Sequence, residues 1–126
     1  AQEKFKAHIN SLENGLKTLS DALNQPLNDF LRDAVIKRFE YVFELSWKTI
    51  QTGANYMGTT CNSPREAIRA AFKLGWIKDV DAWFKALEAR NNTSHAYNLK
   101  LAKEVYEVAK AFPPMVKELL TRLKNI

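Results

Sequence analysis

Asp29-Phe30-Leu31-Arg32-Asp33-Ala34-Val35-Ile36-Lys37-Arg38-Phe39-Glu40-Tyr41-Val42-Phe43-Glu44-Leu45-Ser46-Trp47-Lys48-Thr49-Ile50 is the most apolar helical run in the chain. Leu31, Val35, Phe39 and Val42 form one stripe at helical spacing, and Ile36, Phe43, Trp47 and Ile50 form a second beside it. Only a narrow strip through Lys37, Glu40, Glu44, Lys48 and Gln51 stays polar. A helix greasy on two sides is buried on two sides, so this one, read over 29–56, is the centre of a bundle or also an oligomer surface. Glu40 and Glu44 share the polar strip one turn apart, where like charges repel modestly. Paired carboxylates suggest a metal or acid–base site. Lys48 stands one turn beyond Glu44, and no His or third carboxylate joins the pattern, so the pair reads as a solvated strip with a Glu44–Lys48 bridge.

The helices on either side follow from the same periodicity. Towards the N-terminus, Phe5, Ile9, Leu12, Leu16, Leu19 and Leu23 make the seam of a long helix. Gly15 weakens its middle unless a neighbour approaches closely there. Gln25-Pro26 ends it, and Asn28 caps the helix that follows. Gly58 stops the second helix, and Ser63-Pro64-Arg65-Glu66 starts a third with a capping box and proline in the first turn. That short helix carries Ala67, Ile68, Ala71 and Phe72 and closes at Gly75. Asp79 caps a fourth, with Val80, Trp83, Phe84 and Leu87 inward. Asp79-Val80-Asp81 resembles a paired-carboxylate metal motif, but such motifs sit on strands and no strand is legible, so the cap reading prevails.

The last helix, capped by Asn98, steps through Val105, Ala109, Phe112, Val116, Leu119 and Leu123. Pro113-Pro114 interrupts it, which predicts a kink or short break with both halves still running in one direction. The expected fold is an all-α, antiparallel up-and-down bundle of four or five helices, with residues 1–126 as one domain.

Between the fourth and last helices lies Arg90-Asn91-Asn92-Thr93-Ser94-His95-Ala96-Tyr97, where four poor helix formers stand in a row. Arg is a permanent planar donor suited to phosphate, and His exchanges protons near neutral pH. That combination is what a phosphodiester site requires. Asn, Thr and Ser are also ordinary turn and cap residues, and His with Tyr can simply lid a core.

Composition constrains function only loosely. Nineteen Lys plus Arg against 14 Asp plus Glu give a net charge of +5 over 126 residues, which permits a nucleic-acid or nucleotide partner without demanding one. The single cysteine, Cys61, excludes an internal disulfide, lacks a second thiol for a metal or redox motif and suits a reducing compartment. No apolar run approaches the roughly 20 residues that span a bilayer, and the first residues do not read as a signal peptide. The expectation is a soluble cytoplasmic protein.

Three ordered blocks carry a resemblance: Arg38 to Lys48, Ser63 to Phe72, and Arg90 to Tyr97. Together they resemble the nucleotidyltransferase substrate-binding-protein family, a branch of the HEPN superfamily, over about residues 3 to 125. The third block fits the superfamily pattern of Arg, a polar residue, further spacing, then His-x-Tyr. The resemblance implies a homodimeric helical bundle, with no cofactor or metal, paired with a small separate nucleotidyltransferase. It also implies Arg90 and His95 as catalytic residues, Asn91 and Ser94 as supporting ones, and Tyr97 as the site of modification.

Two kinds of function are similar to this pattern. In one, the chain is a metal-independent ribonuclease toxin silenced by AMP transfer to Tyr97. In the other, it is a non-catalytic subunit that binds the substrate or nucleotide of a two-component nucleotidyltransferase. Cleavage needs a base for the ribose 2′-OH, an acid for the leaving 5′-oxygen and a cation for the phosphorane. Positions five apart on a continuous helix diverge by about 140°, so a break there lets Arg90 and His95 face one phosphate. Ground-state binding needs no titrating His, which favours the nuclease. A binding subunit would instead show an aromatic pocket, for which Trp47, Trp76, Trp83, Tyr97 and Tyr106 are the candidates.

Overall fold

The structure, a computed structural model, describes residues 2–126. In chain order it consists of α1 (Gln2–Leu23), α2 (Asp29–Tyr56), α3 (Pro64–Lys73), α4 (Val80–Asn91), a 3-10 turn (Asn92–His95) and α5 (Leu99–Leu123). Helix starts follow local chemistry. The side chains of Asn28, Ser63, Asp79 and Asn98 each accept a hydrogen bond from the backbone N–H three residues on, satisfying a donor that the helix leaves orphaned. Asp79 is therefore a cap, as its sequence context predicts. Gly58 follows α2 with φ +91°, a conformation that a residue with a Cβ adopts only under strain. Gly75 does the same after α3 with φ +80°.

Helices α1 and α2 run antiparallel. His8 meets Thr52 at 2.7 Å, while Gly15, further along α1, faces Val42 and Leu45 earlier in α2. A Cβ on Gly15 would stand 3.0 Å from Leu45 Cδ1, so the neighbour whose approach would excuse this glycine is present. Helix α4 packs against the middle of α2, with the Trp83 ring 6.5 Å from that of Phe43 and Arg90 at Glu44. Helix α5 packs on both. At the centre, Phe112 of α5 lies edge-on to Phe39 at 5.2 Å and to Trp83 at 5.3 Å between ring centroids, with Phe43 at 6.0 Å. Phe39, Phe43 and Phe112 are wholly buried. No described helix is long and apolar enough to cross a membrane.

Helix α2 takes the central place expected of it, and two other expectations need correction. Both stripes of α2 are covered within one chain: Val35, Ile36, Phe39, Val42, Phe43 and Ile50 are buried, with Leu31 and Trp47 half-buried. The chain's own helices α1, α3, α4 and α5 therefore pack around α2, as a central helix requires. Pro113-Pro114 does not break α5, which continues unbroken to Leu123. Each interior proline costs about 3 kcal/mol in an isolated helix. Here Phe112, Pro113, Val116 and Leu119 are buried together, and that packing keeps the chain helical through the pair. Phe72 is 51% exposed, because the ten-residue α3 seats only Ala67, Ile68 and Ala71 on the bundle and leaves Phe72 at its edge.

Candidate functional site

The break after α4 forms because its side chains compete with the helix for backbone partners. Thr93 Oγ1 lies 2.8 Å from the carbonyl oxygen of Arg90, and the Ser94 hydroxyl donates to the Asn91 carbonyl at 3.4 Å. The chain tightens into the 3-10 turn, passes Ala96 and Tyr97, and restarts at the Asn98 cap. A groove of about 470 Å³ runs between this turn and α2, with Ile36, Lys37 and Glu40 on one wall and Thr93, Ser94 and Tyr97 on the other.

The carboxylates on the polar strip of α2 reach this break. Glu44 Oε1 forms an ion pair with Arg90 Nη2, the two side chains being 27% and 28% exposed. Glu44 Oε2 accepts a hydrogen bond from the Trp47 indole N–H at 3.1 Å. The expected Glu44–Lys48 bridge is loose at 3.9 Å, since Arg90 has taken the carboxylate. One turn earlier, Glu40 Oε2 lies 2.5 Å from the Thr93 hydroxyl and Oε1 takes the Lys37 ammonium at 3.1 Å. Reading Glu40 and Glu44 as a merely solvated strip is thus corrected. Their partners come from the break, far away in sequence, and no periodicity signals that pairing.

The remaining site residues fall into two groups. Arg90 Nη1 donates to the Asn91 side-chain oxygen at 3.3 Å, so the guanidinium is held between Glu44 and Asn91. His95 and Tyr97 stand on the exposed rim, their rings edge-to-face with centroids 6.1 Å apart, and Tyr97 is 84% exposed. Ser94 is exposed and lines the groove with Tyr97. Among the described residues no hydrogen bond or ion pair joins Arg90 to His95. The break brings Arg90 to Glu44 of α2 and sets His95 beside Tyr97.

Of the groups that titrate away from their ordinary range, two matter below neutral pH. The Thr93 hydrogen bond is the main influence holding the Glu40 carboxyl low; Lys37 and Arg90 assist and burial opposes. Burial, followed by the charges of Lys4 and Lys48, pushes the His8 imidazole below 6.5. Both groups bind protons less readily folded than unfolded, so both favour the fold at neutral pH and lose that contribution on acidification. The expected result is a melting temperature that falls first as pH drops below about 6.5, where unfolded His8 takes its proton, and again below about 4.3, where unfolded Glu40 does. Thermal unfolding of Thr93→Val across pH should show the lower step reduced and the upper one intact.

The fold and the sequence both have known relatives. A crystal structure from Thermus thermophilus superposes with a TM-score of 0.85 at 30% identity, covering 90% of this chain and 98% of that one. A Haemophilus influenzae structure, described as revealing the fold of a substrate binding domain of a nucleotidyltransferase, gives 0.70 at 28% identity over 98% and 99% of the two chains. The sequence is also 32% identical over 85 residues to a Haemophilus influenzae protein named "Probable ribonuclease HepT". That match spans 64% of this chain and 58% of the relative's length. Residues 3–125, a span that contains the Arg90-to-Tyr97 break and both carboxylates of α2, match the model of the family described as nucleotidyltransferase substrate binding protein like, and the chain belongs to that family.

Proposed function

We propose that this chain is a metal-independent endoribonuclease of the HEPN type, which acts beside a separate minimal nucleotidyltransferase and is silenced when that enzyme transfers AMP to Tyr97. The observation that carries the reading is the exposed pairing of His95 with Tyr97 at the helix break. A general acid–base must be reachable by the ribose and phosphate, and a tyrosine to be modified must be reachable by another enzyme. Both sit on one rim.

In the reaction a base takes the 2′-OH proton, the 2′-oxygen bonds to phosphorus, and the bond to the 5′-oxygen breaks as an acid protonates it. One His95 supplies one of these proton transfers. A symmetric dimer that brings two breaks together supplies both, and Arg90 offsets the charge of the phosphorane. Ribonucleic acid is then the ligand, bound through its phosphates, with Asn91 and Ser94 shaping the turn.

AMP transfer joins the Tyr97 oxygen to the α-phosphorus of ATP and releases pyrophosphate. The product carries a bulky anion beside His95, which blocks a substrate phosphate by charge and size. Tyr97→Phe is expected to keep its cleavage activity and to escape silencing when mixed with the nucleotidyltransferase, ATP and Mg²⁺. Intact-mass spectrometry should show an AMP-sized gain on the wild type and none on the variant.

The second reading, a non-catalytic substrate-binding subunit, is favoured by the description of the Haemophilus influenzae structural neighbour. Against it, Trp76, Trp83 and Tyr106 are buried in the core, which removes most of the aromatic side chains such a pocket would use. No mass gain on either protein, together with no RNA cleavage, decides for this second reading.

A further inference from the structure

We propose that Glu44 is a built-in competitor for phosphate at Arg90: in the free protein its carboxylate occupies the guanidinium edge that a phosphate would take, and it gives way when one binds. The inference rests on the reading of Arg90 as the phosphate-binding cation. Carboxylate and phosphate engage guanidinium N–H groups in the same geometry, so one edge serves either anion but not both. Two negative charges held about 4 Å apart on one edge repel each other, and that repulsion is strongest where the groups are shielded from water.

Three features of the site suit displacement. Glu44 belongs to α2, the central helix, and not to the break, so Arg90 can change partners without disturbing the 3-10 turn. The other carboxylate oxygen is anchored by the Trp47 indole at 3.1 Å, which fixes where Glu44 waits. Lys48, one turn on, already lies 3.9 Å from that same oxygen. A released Glu44 therefore has a second cation on its own helix and is not left as an unpaired charge.

Glu40 is not a second competitor, since Lys37 and Thr93 hold both of its oxygens. Asn91 Oδ1 is uncharged and steadies Arg90 from the other side in either state. The consequence is a site nearly neutral when empty. It rejects small monoanions and opens to a phosphate that brings further contacts of its own.

The test is an NMR titration of the full chain with AMP, following the indole Nε1–H signal of Trp47, with inorganic phosphate as a second probe. Glu44→Gln keeps the shape and the acceptor oxygen but removes the charge, and it should bind AMP at least tenfold more tightly than the wild type. Adding Arg90→Ala to Glu44→Gln should abolish that gain. In the wild type, saturating AMP should shift the Trp47 indole signal as its acceptor moves.

A Glu44→Gln protein that binds AMP no better than the wild type, or does not bind it at all, overturns the competitor role. A gain that survives the loss of Arg90 instead overturns the reading of Arg90 as the phosphate site. Should Glu44→Gln fail to fold by circular dichroism, Trp47→Phe frees Glu44 without changing any charge, and its AMP affinity is read by isothermal titration calorimetry beside the wild type. It should give a smaller gain of the same sign, and a loss there counts against the proposal equally.

Discussion

His95→Ala is expected to lower the rate of RNA cleavage by about 10²–10⁴, the usual worth of a positioned acid–base group, with almost no change in melting temperature. The imidazole is exposed, lies edge-to-face with the Tyr97 ring and serves no helix cap, and surface changes of this kind shift stability by about 0.5 kcal/mol or less. Single-turnover cleavage of an unstructured RNA, beside a thermal melt of the same sample, checks both halves. Undiminished cleavage would move the chemistry away from the break altogether. Arg90→Ala should also abolish cleavage but should not be thermally silent. It removes the near partner of the half-buried Glu44 carboxylate and leaves only the Trp47 indole and a loose Lys48 at 3.9 Å. Losing a hydrogen bond between charged groups costs about 1.5–3 kcal/mol. The two variants, equivalent on the sequence alone, are separated by the ion pair to α2.

The largest effect on stability is expected from Phe112→Ala. This ring is wholly buried and packs against Phe39, Phe43 and Trp83, so it joins α5 to both α2 and α4. Removing a buried phenyl group costs about 3–5 kcal/mol, because the cavity collapses only partly. Favourable edge-to-face geometry with two partners places the loss towards the upper end. For a chain of this size that corresponds to a fall in melting temperature on the order of 15 °C. Urea unfolding should show a lower midpoint with an unchanged slope, since the surface exposed on unfolding is nearly the same. A loss below about 1 kcal/mol would mean that the aromatic cluster is not the centre of the core.

Most of the fold was legible because it is local. Each cap lies three residues from the N–H it satisfies, so Asn28, Ser63, Asp79 and Asn98 could be read directly. The seams of α1 and α5 repeat at a period that only a helix satisfies. What could not be read depends on distance along the chain. Thr93 and Glu40 are 53 residues apart, and nothing in either neighbourhood announces the other. Arg90 and Glu44 are similarly remote, so an arginine that looked available for ligand proves to be engaged. Pro113-Pro114 misleads for the opposite reason. A sound local rule is overridden by core burial on both sides of the pair. The break itself was plain in the run of Asn, Thr and Ser, but the direction each of its side chains takes was not.

The closing of the bundle by α5 also bears on synthesis. The α1–α2 hairpin can form as soon as α2 is made, yet one flank of its apolar surface waits for Phe112, Val116 and Leu119. The Lys124 ammonium meets Glu13 at 2.6 Å across 111 residues, so α1 gains this neighbour only when the chain has been made through residue 124. At ordinary elongation speeds of about 5–20 residues per second, that surface stays uncovered for on the order of ten seconds on every ribosome. A nascent chain in that interval is a natural client for chaperones, and its release from them is timed by the last helix rather than the first.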